Sequence, residues 1–346
     1  MSLLGEIHEQ PEAAARFLDR RLADVRAAAR RIAAHDPAVV LVAARGSSDH
    51  AAIYAQYAFG LRNRLPVALA APSMFSVYGA PPRLERSVVL GVSQSGESPD
   101  IVAVLVEARR QGAPAVAITN EPGSPLASAA DAVIALEAGP ERSVAATKTY
   151  TIQLLAIAAL SAALAEPSLR DAERRLRTIP AAIGAMLDAD ATARDLAARH
   201  APMTRAVVLG RGCEYPTARE WALKIQELTQ VMAHAWSSAD FAHGPLALVE
   251  PGLPVLAVVP DDAAGDGLVA QLLALRDDHR ADVVTISRRQ DARAAGFAGL
   301  PFPDLPPDLA PIASIVPGQL FALHLAVARG LNPDRPRTIS KVTRTR

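Results

Sequence analysis

Two rounds of short apolar runs, each followed by a helix-length segment, constrain this chain more than any other feature. Residues 38–43, 66–70, 87–92, 115–118 and 132–136 are apolar stretches of four to six residues bounded by Gly, Pro and Ser turns. Runs of that length without polar alternation are strands buried on both faces, and strands alternating with helices build a parallel sheet. The rhythm stops over residues 166–199, an Ala- and Arg-rich helical stretch broken near Pro180, and then restarts. Ala206-Val207-Val208-Leu209 runs into Gly210-Arg211-Gly212 as Val39-Val40-Leu41 runs toward Gly46, and further strands are expected over 254–259 and 281–286. Helices are expected over about 51–61, 217–229, 268–276 and 319–329. This is an approximate internal repeat of one domain type. The fold class is α/β: two tandem domains, each a doubly wound parallel sheet flanked by helices. The expected divisions are an N-terminal helical segment over 1–34, a first domain over 35–165, a helical connector over 166–199, a second domain over 200–330 and a tail over 331–346.

The N-terminal segment is amphipathic, with Phe17, Leu18, Leu22, Val25 and Ile32 near helical spacing and Pro11 interrupting or starting the helix. It has no apolar core of a secretory leader. The longest apolar stretch, residues 150–165, is shorter than a spanning helix and contains Thr151, Gln153 and Ser161. It is expected to be a buried core helix, in a cytoplasmic protein without a membrane partner. With 36 basic and 36 acidic residues the formal net charge is zero, so bulk electrostatics gives no footprint for nucleic acid. Cys213 is the single cysteine, which rules out an internal disulfide and a multi-cysteine metal site. With no HxH or HExxH arrangement either, no metal is expected.

Ser93-Gln94-Ser95-Gly96-Glu97-Ser98 lies between the third strand and a helix over 99–112, with Ser98 as N-cap, Pro99 in the first turn and Gly112 as the stop. Backbone N–H groups and the positive end of the helix dipole point at such a loop, and hydroxyls add donors. Three serines and a glutamine in six residues exceed what a cap requires, so the loop is read as a phosphate cradle. Arg45-Gly46-Ser47-Ser48 sits at the carboxyl end of the first strand, where open α/β sheets bind ligands, and Ser47 and Ser48 are candidates for the same cradle. The second repeat has Pro260-Asp261-Asp262 instead, whose carboxylates would repel phosphate. One anion site is therefore expected, in the first half.

Only three basic residues are lysine: Lys148, Lys224 and Lys341. Lysine offers what arginine cannot, an amine that loses its proton and forms a Schiff base. Lys224 shares a helix face with Glu220 and Glu227, at spacings of four and three. That is either a routine surface pair or a proton-transfer pair that a cleft tunes toward neutrality. Lys148 follows Ser143-Val144-Ala145-Ala146-Thr147 at a helix start, where a cation opposes the dipole unless it has an anionic partner. His243 precedes a Gly-Pro turn, and spacing alone leaves its role open; His50, His234 and His324 have weaker cases. The proline-rich tail carries the last lysine.

Together these residues resemble the sugar isomerase (SIS) superfamily, specifically the double-SIS isomerase half of glucosamine-6-phosphate synthase. The resemblance runs in order from Glu6-Ile7-x-Glu9-Gln10-Pro11 through the serine loop, Val144-Ala145-Ala146-Thr147-Lys148 and Ala222-Leu223-Lys224-x-x-Glu227. It ends with His243-Gly244-Pro245-Leu246 and Pro333-x-x-Pro336…Ser340-Lys341-Val342-Thr343. The fold it implies is two tandem SIS domains. It also implies that Ser47, Ser48, Ser93, Gln94, Ser95 and Ser98, with Val144 and Ala146, bind a hexose or hexosamine 6-phosphate. Glu227 becomes the base moving a proton between C1 and C2, with Lys224 near the sugar hydroxyls. His243 assists ring opening from a neighbouring subunit, which implies a homodimer. Lys341, on a tail closing over the sugar, forms an imine at C2. The resemblance implies no metal and no organic cofactor.

Two departures bear on the reaction. No glutaminase half is expected, and mid-chain Cys213 is not expected to stand in for its N-terminal cysteine. Arg45 stands where the synthase has a small or thiol residue, and Arg45-Gly46-Ser47-Ser48-Asp49-His50 looks more like the free-standing glucosamine-6-phosphate deaminase-type members. The leading expectation is therefore release of ammonia from glucosamine 6-phosphate to give fructose 6-phosphate. A deglycase or isomerase of another aminated sugar phosphate, such as a fructosamine 6-phosphate, is the alternative. A non-catalytic sugar-phosphate sensor is a third class, which usually carries a helix-turn-helix domain; with about 35 residues before the first strand and a neutral chain, none is expected.

Overall fold

The computed structural model describes residues 2–296, 298–337 and 341; of the tail motif, Thr338, Ile339, Ser340, Val342 and Thr343 lie outside the described residues. The chain runs α1 (Leu3–His8), α2 (Gln10–His35), β1 (Val39–Ala43), α3 (Ser47–Asn63), β2 (Val67–Leu69), α4 (Ser73–Ser76), β3 (Ser87–Ser93), α5 (Pro99–Arg110), β4 (Ala115–Thr119), α6 (Pro125–Ser128), β5 (Ala132–Ala135) and α7 (Lys148–Ala165). It continues through α8 (Arg170–Leu176), α9 (Ile179–Leu187), α10 (Asp190–Arg199), β6 (Arg205–Gly210), α11 (Tyr215–Thr229), β7 (Met232–Ser237) and α12 (Ser238–Ala242). Then come β8 (Pro254–Val258), α13 (Ala263–Asp277), β9 (Asp282–Ile286), α14 (Gln290–Ala295), β10 (Ala298–Leu300) and α15 (Pro311–Ala328). Two compact units result. One holds residues 10–141 and 148–180 with Lys341; the other holds residues 2–9, 142–147 and 181–337.

In the first unit all neighbouring strands are parallel, in the order β2-β1-β3-β4-β5. Leu41, Ala43, Val89, Ala115 and Ala117 pack against Ile101, Val104, Leu105 and Leu126 from α5 and α6. The intervening residues Val40, Val42, Val88, Leu90, Val116 and Ile118 are equally buried and point to the opposite face, where α2, α3 and α7 pack together. Burial on both faces is why these strands read as unbroken apolar runs. Three polar residues within the apolar run of α7 have partners: Gln153 donates to Ser48 Oγ at 2.9 Å, Ser161 to the Ala58 carbonyl at 2.9 Å, and Thr151 to Gln10.

The second unit repeats this order with its own strands, β7-β6-β8-β9-β10, again all parallel. Val207, Leu209, Val255, Ala257 and Val283 bury one face against Leu268, Leu272 and Leu275 of α13 and Ala292 and Ala295 of α14. On the other side α15 packs along α10 and α11. Two strands were not expected from the sequence. β7 is an edge strand whose Met232 is 79% exposed while Ala233 is buried, so it carries no continuous apolar run. β10 is three residues long, too short to register as a period. α15 begins at Pro311, eight residues before the expected 319, and carries Pro317 inside it. Pro317 removes one ladder hydrogen bond without ending a helix whose two flanks are buried. Both α7 and α15 have the length and apolarity of a membrane span, yet 89% of each window is buried in the fold.

Candidate active site

In the first unit the carboxyl ends of the adjacent strands β1 and β3 bring two polar loops together. Ser93 ends β3 and its Oγ accepts from the Gly96 N–H at 3.1 Å; the Ser95 Oγ accepts from the Glu97 N–H at 3.3 Å. An oxygen that accepts from the backbone keeps its own O–H available as a donor, the polarity an anion requires. The Gln94 carbonyl accepts from Asn120 N–H and Thr119 Oγ1, and the Gly96 carbonyl from Leu126 N–H at 3.1 Å, so the loop is tied to the end of β4 and to α6. Ser98 is the N-cap of α5 but makes no side-chain capping bond. Ser93, Gln94, Ser95 and Ser98 are all partly exposed. Across from them α3 starts directly at Ser47, earlier than expected, leaving Ala44-Arg45-Gly46 as a tight turn with Gly46 at φ +56°. Ser47 is partly exposed, whereas Ser48 is buried against Gln153 of α7.

The lysine of the tail lies in this unit too. Lys341 Nζ is 2.6 Å from Glu141 Oε2, and that fully buried carboxylate also accepts from Thr149 N–H at 3.0 Å and Thr149 Oγ1 at 2.8 Å. Glu141 is thus a buried anion seated on the start of α7, where the helix dipole stabilises it. Lys148, the first residue of α7, is itself fully buried.

In the second unit Lys224 has a side chain 1% exposed. Its Nζ is 2.5 Å from Glu227 Oε2 and 3.4 Å from Glu220 Oε1, with Glu220 fully buried and the Glu227 side chain 25% exposed. Of the two sequence readings, the routine surface pair is thereby excluded: the ammonium is inside, between two carboxylates, and only Glu227 reaches outward. His243 is exposed at the C-cap of α12. Segment 142–147 belongs to this unit, with Val144 and Ala146 partly exposed between buried Ser143, Ala145 and Thr147. It is anchored by Glu6, a fully buried carboxylate accepting from Arg142 N–H at 2.6 Å and Ser143 N–H at 3.2 Å. The acidic turn after β8 is committed elsewhere: Asp261 pairs with Arg288 at 2.7 Å, and Asp262 caps α13 through Ala264 N–H at 2.8 Å. Cys213 is buried, and burial together with the neighbouring carboxylates of Glu214, Asp262 and Asp308 pushes its thiol up to about 12. It is no nucleophile at neutral pH.

Sequence reasoning did not single out Glu141, Asp100 or the anchoring role of Glu6. Glu6 and Glu141 flank the recognised motifs, but what distinguishes them is burial against backbone donors, which only the fold supplies.

Against known proteins, the SIS-domain family matches residues 36–163 and 201–329, one stretch for each sheet. This chain belongs to the SIS-domain family. One relative, the isomerizing glutamine–fructose-6-phosphate aminotransferase of Thermococcus kodakarensis, is 34% identical over 98% of this chain. The chain spans 57% of that relative's length. Among solved structures, a provisionally named phosphosugar isomerase from Silicibacter pomeroyi is 38% identical, with a TM-score of 0.87, covering 96% of this chain and 99% of that one. The C-terminal domain of glucosamine-fructose-6-phosphate aminotransferase from Francisella tularensis is 27% identical, with a TM-score of 0.88, covering 96% and 98%. The two SIS domains of this chain thus have phosphosugar isomerase-type relatives along almost their whole extent.

Proposed function

We propose that this chain is a sugar-phosphate isomerase working as an aminosugar-phosphate deaminase, converting glucosamine 6-phosphate and water into fructose 6-phosphate and ammonia. The observation that carries the reading is Lys224, a buried ammonium bracketed by Glu220 and Glu227, with Glu227 as the outward-facing base. Support for a phosphosugar comes from the names of the relatives and from the donor polarity of the serine loop.

In this reading Ser47, Ser48, Ser93, Gln94, Ser95 and Ser98 hold the 6-phosphate, and the backbone at Val144 and Ala146 lines the sugar. His243, supplied by the neighbouring subunit of a homodimer, moves the ring proton that opens the pyranose. Glu227 takes the proton from C2 of the open 2-amino aldehyde; the electron pair forms the C1–C2 double bond, and charge develops on the C1 oxygen next to the Lys224 ammonium. Return of the proton to C1 leaves an imine at C2. Water adds there and ammonia departs, directly or after the Lys341 amine has displaced it as a protein-bound imine.

Purified protein given glucosamine 6-phosphate is expected to release ammonia and fructose 6-phosphate in equal amounts. Glu227→Gln is expected to lower kcat by about 10²- to 10⁴-fold, the usual worth of a positioned general base. Turnover no higher in the wild type than in that variant would sink the proposal.

A further inference from the structure

The mechanism leaves Arg45 unused, although it stands at the phosphate loops. β1 and β3 are paired with Ala43 opposite Gly91, so two residues further on Arg45 is level with Ser93. Here the connections leave the sheet in opposite directions, β1 through α3 to β2 and β3 through α5 to β4, and this switch point is the crevice where open α/β sheets take ligands. The Arg45 side chain spans from one loop to the other: Nε is 3.0 Å and Nη2 2.7 Å from Asp100 Oδ2. Asp100 is 2% exposed in the first turn of α5, and its Oδ1 accepts from the Ile101 N–H at 3.0 Å, which makes it a fixed anchor. The Arg45 side chain is half exposed, and its Nη1 has no hydrogen-bond partner among the described residues.

We propose that Arg45 is a specificity residue of the phosphate site: clamped by Asp100, it presents Nη1 to the substrate phosphate and makes the site prefer a dianion. The proposal rests on the serine loop being the phosphate cradle. Hydroxyls and amides are neutral donors, which distinguish a dianion from a monoanion weakly; a guanidinium donor adds a charge-assisted bond that strengthens with the second negative charge. Arginine alone does both jobs at once, because its planar fork binds Asp100 with one edge while a third nitrogen stays directed outward. A lysine ammonium in its place has no second edge.

The test titrates the full-length protein with inorganic phosphate by calorimetry, from about pH 6 to about pH 8, across the second ionisation of phosphate. The wild type is expected to tighten as phosphate becomes dianionic. Arg45→Ala and the size-preserving Arg45→Gln are expected to bind about ten- to a hundredfold more weakly at the upper pH and to lose most of the pH slope. Arg45→Lys is expected to recover less than half of the loss on a logarithmic scale. With glucosamine 6-phosphate the same variants are expected to raise KM far more than they lower kcat. If Ser95→Ala weakens phosphate binding while both Arg45 variants keep wild-type affinity and slope, the Arg45 assignment falls and the cradle stands. If phosphate does not bind the wild type, or binds Ser95→Ala equally well, the cradle reading falls and the assignment of Arg45 falls with it.

Discussion

Gly96 sets the shape of the serine loop. Its φ is +64°, and a Cβ added there would lie 2.1 Å from the Ser124 Oγ and 2.5 Å from the Ser124 Cβ. Ser124 cannot yield easily, because it is buried and caps α6 through the Ala127 N–H. Gly96→Ala is therefore expected to cost about 1–3 kcal/mol of stability and to displace the loop that carries Ser93 and Ser95. Affinity for inorganic phosphate should fall at least about tenfold in a calorimetric titration, a loss of about 1.4 kcal/mol. Unchanged affinity would contradict the shape argument. At this scale the sequence is legible where a residue type is scarce. Lysine is rare here, so Lys224 and Lys341 stand out, and both end against buried carboxylates. Glu141 and Asp100 do not stand out among 36 acidic residues. Nothing local marks them, because their positions depend on which donors the fold brings to them.

Helices α11 and α15 pack through a seam that is polar at one end and tight further along. Glu214, fully buried just before α11, accepts from the Ser314 Oγ at 2.7 Å, and one turn along α15 the Gly318 backbone lies against the Trp221 ring. A Cβ at Gly318 would meet Trp221 Cγ at 2.9 Å, so the glycine permits this close approach beside Pro317, inside a helix expected to begin only at 319. Burial pushes the Glu214 carboxyl from 4.5 up to about 7, against the hydrogen bonds from Thr217 and Ser314 that favour the ionised form. Between those two pH values the folded state holds a proton that the unfolded state has lost. Stability is thus expected to fall as pH rises from 4.5 to about 7, by about 3 kcal/mol, and then to level off. Glu214→Gln should flatten that segment of a plot of unfolding free energy against pH. An unaltered slope in the variant would show that the carboxyl is not the source.

One architecture is used twice, and that much is written in the apolar runs: among the described residues, eight of the ten strands lie where the sequence places them. The two exceptions, β7 and β10, are the edge strands of the second sheet, where burial on one side or a three-residue length erases the signal. The asymmetry of the repeats is also legible, since serines end one third strand and aspartates follow the other. What patterning does not reveal is the use of His243, exposed on its own chain. The proposal that a neighbouring subunit supplies it makes a whole-molecule prediction. Inactive Glu227→Gln and His243→Asn chains, mixed and allowed to exchange, should regain about a quarter of wild-type activity, because half the dimers are mixed and each contains one intact site. No recovery despite demonstrated exchange would place His243 and Glu227 in the same chain or remove one of them from the chemistry. The central claim, that Glu227 moves the C2 proton of an aminosugar phosphate, is tested most directly with glucosamine 6-phosphate carrying deuterium at C2. The wild type is predicted to strip the label from C2, into C1 or solvent, as ammonia is released, and Glu227→Gln to leave it in place. Loss of label from C2 at the same rate in both proteins would contradict the account.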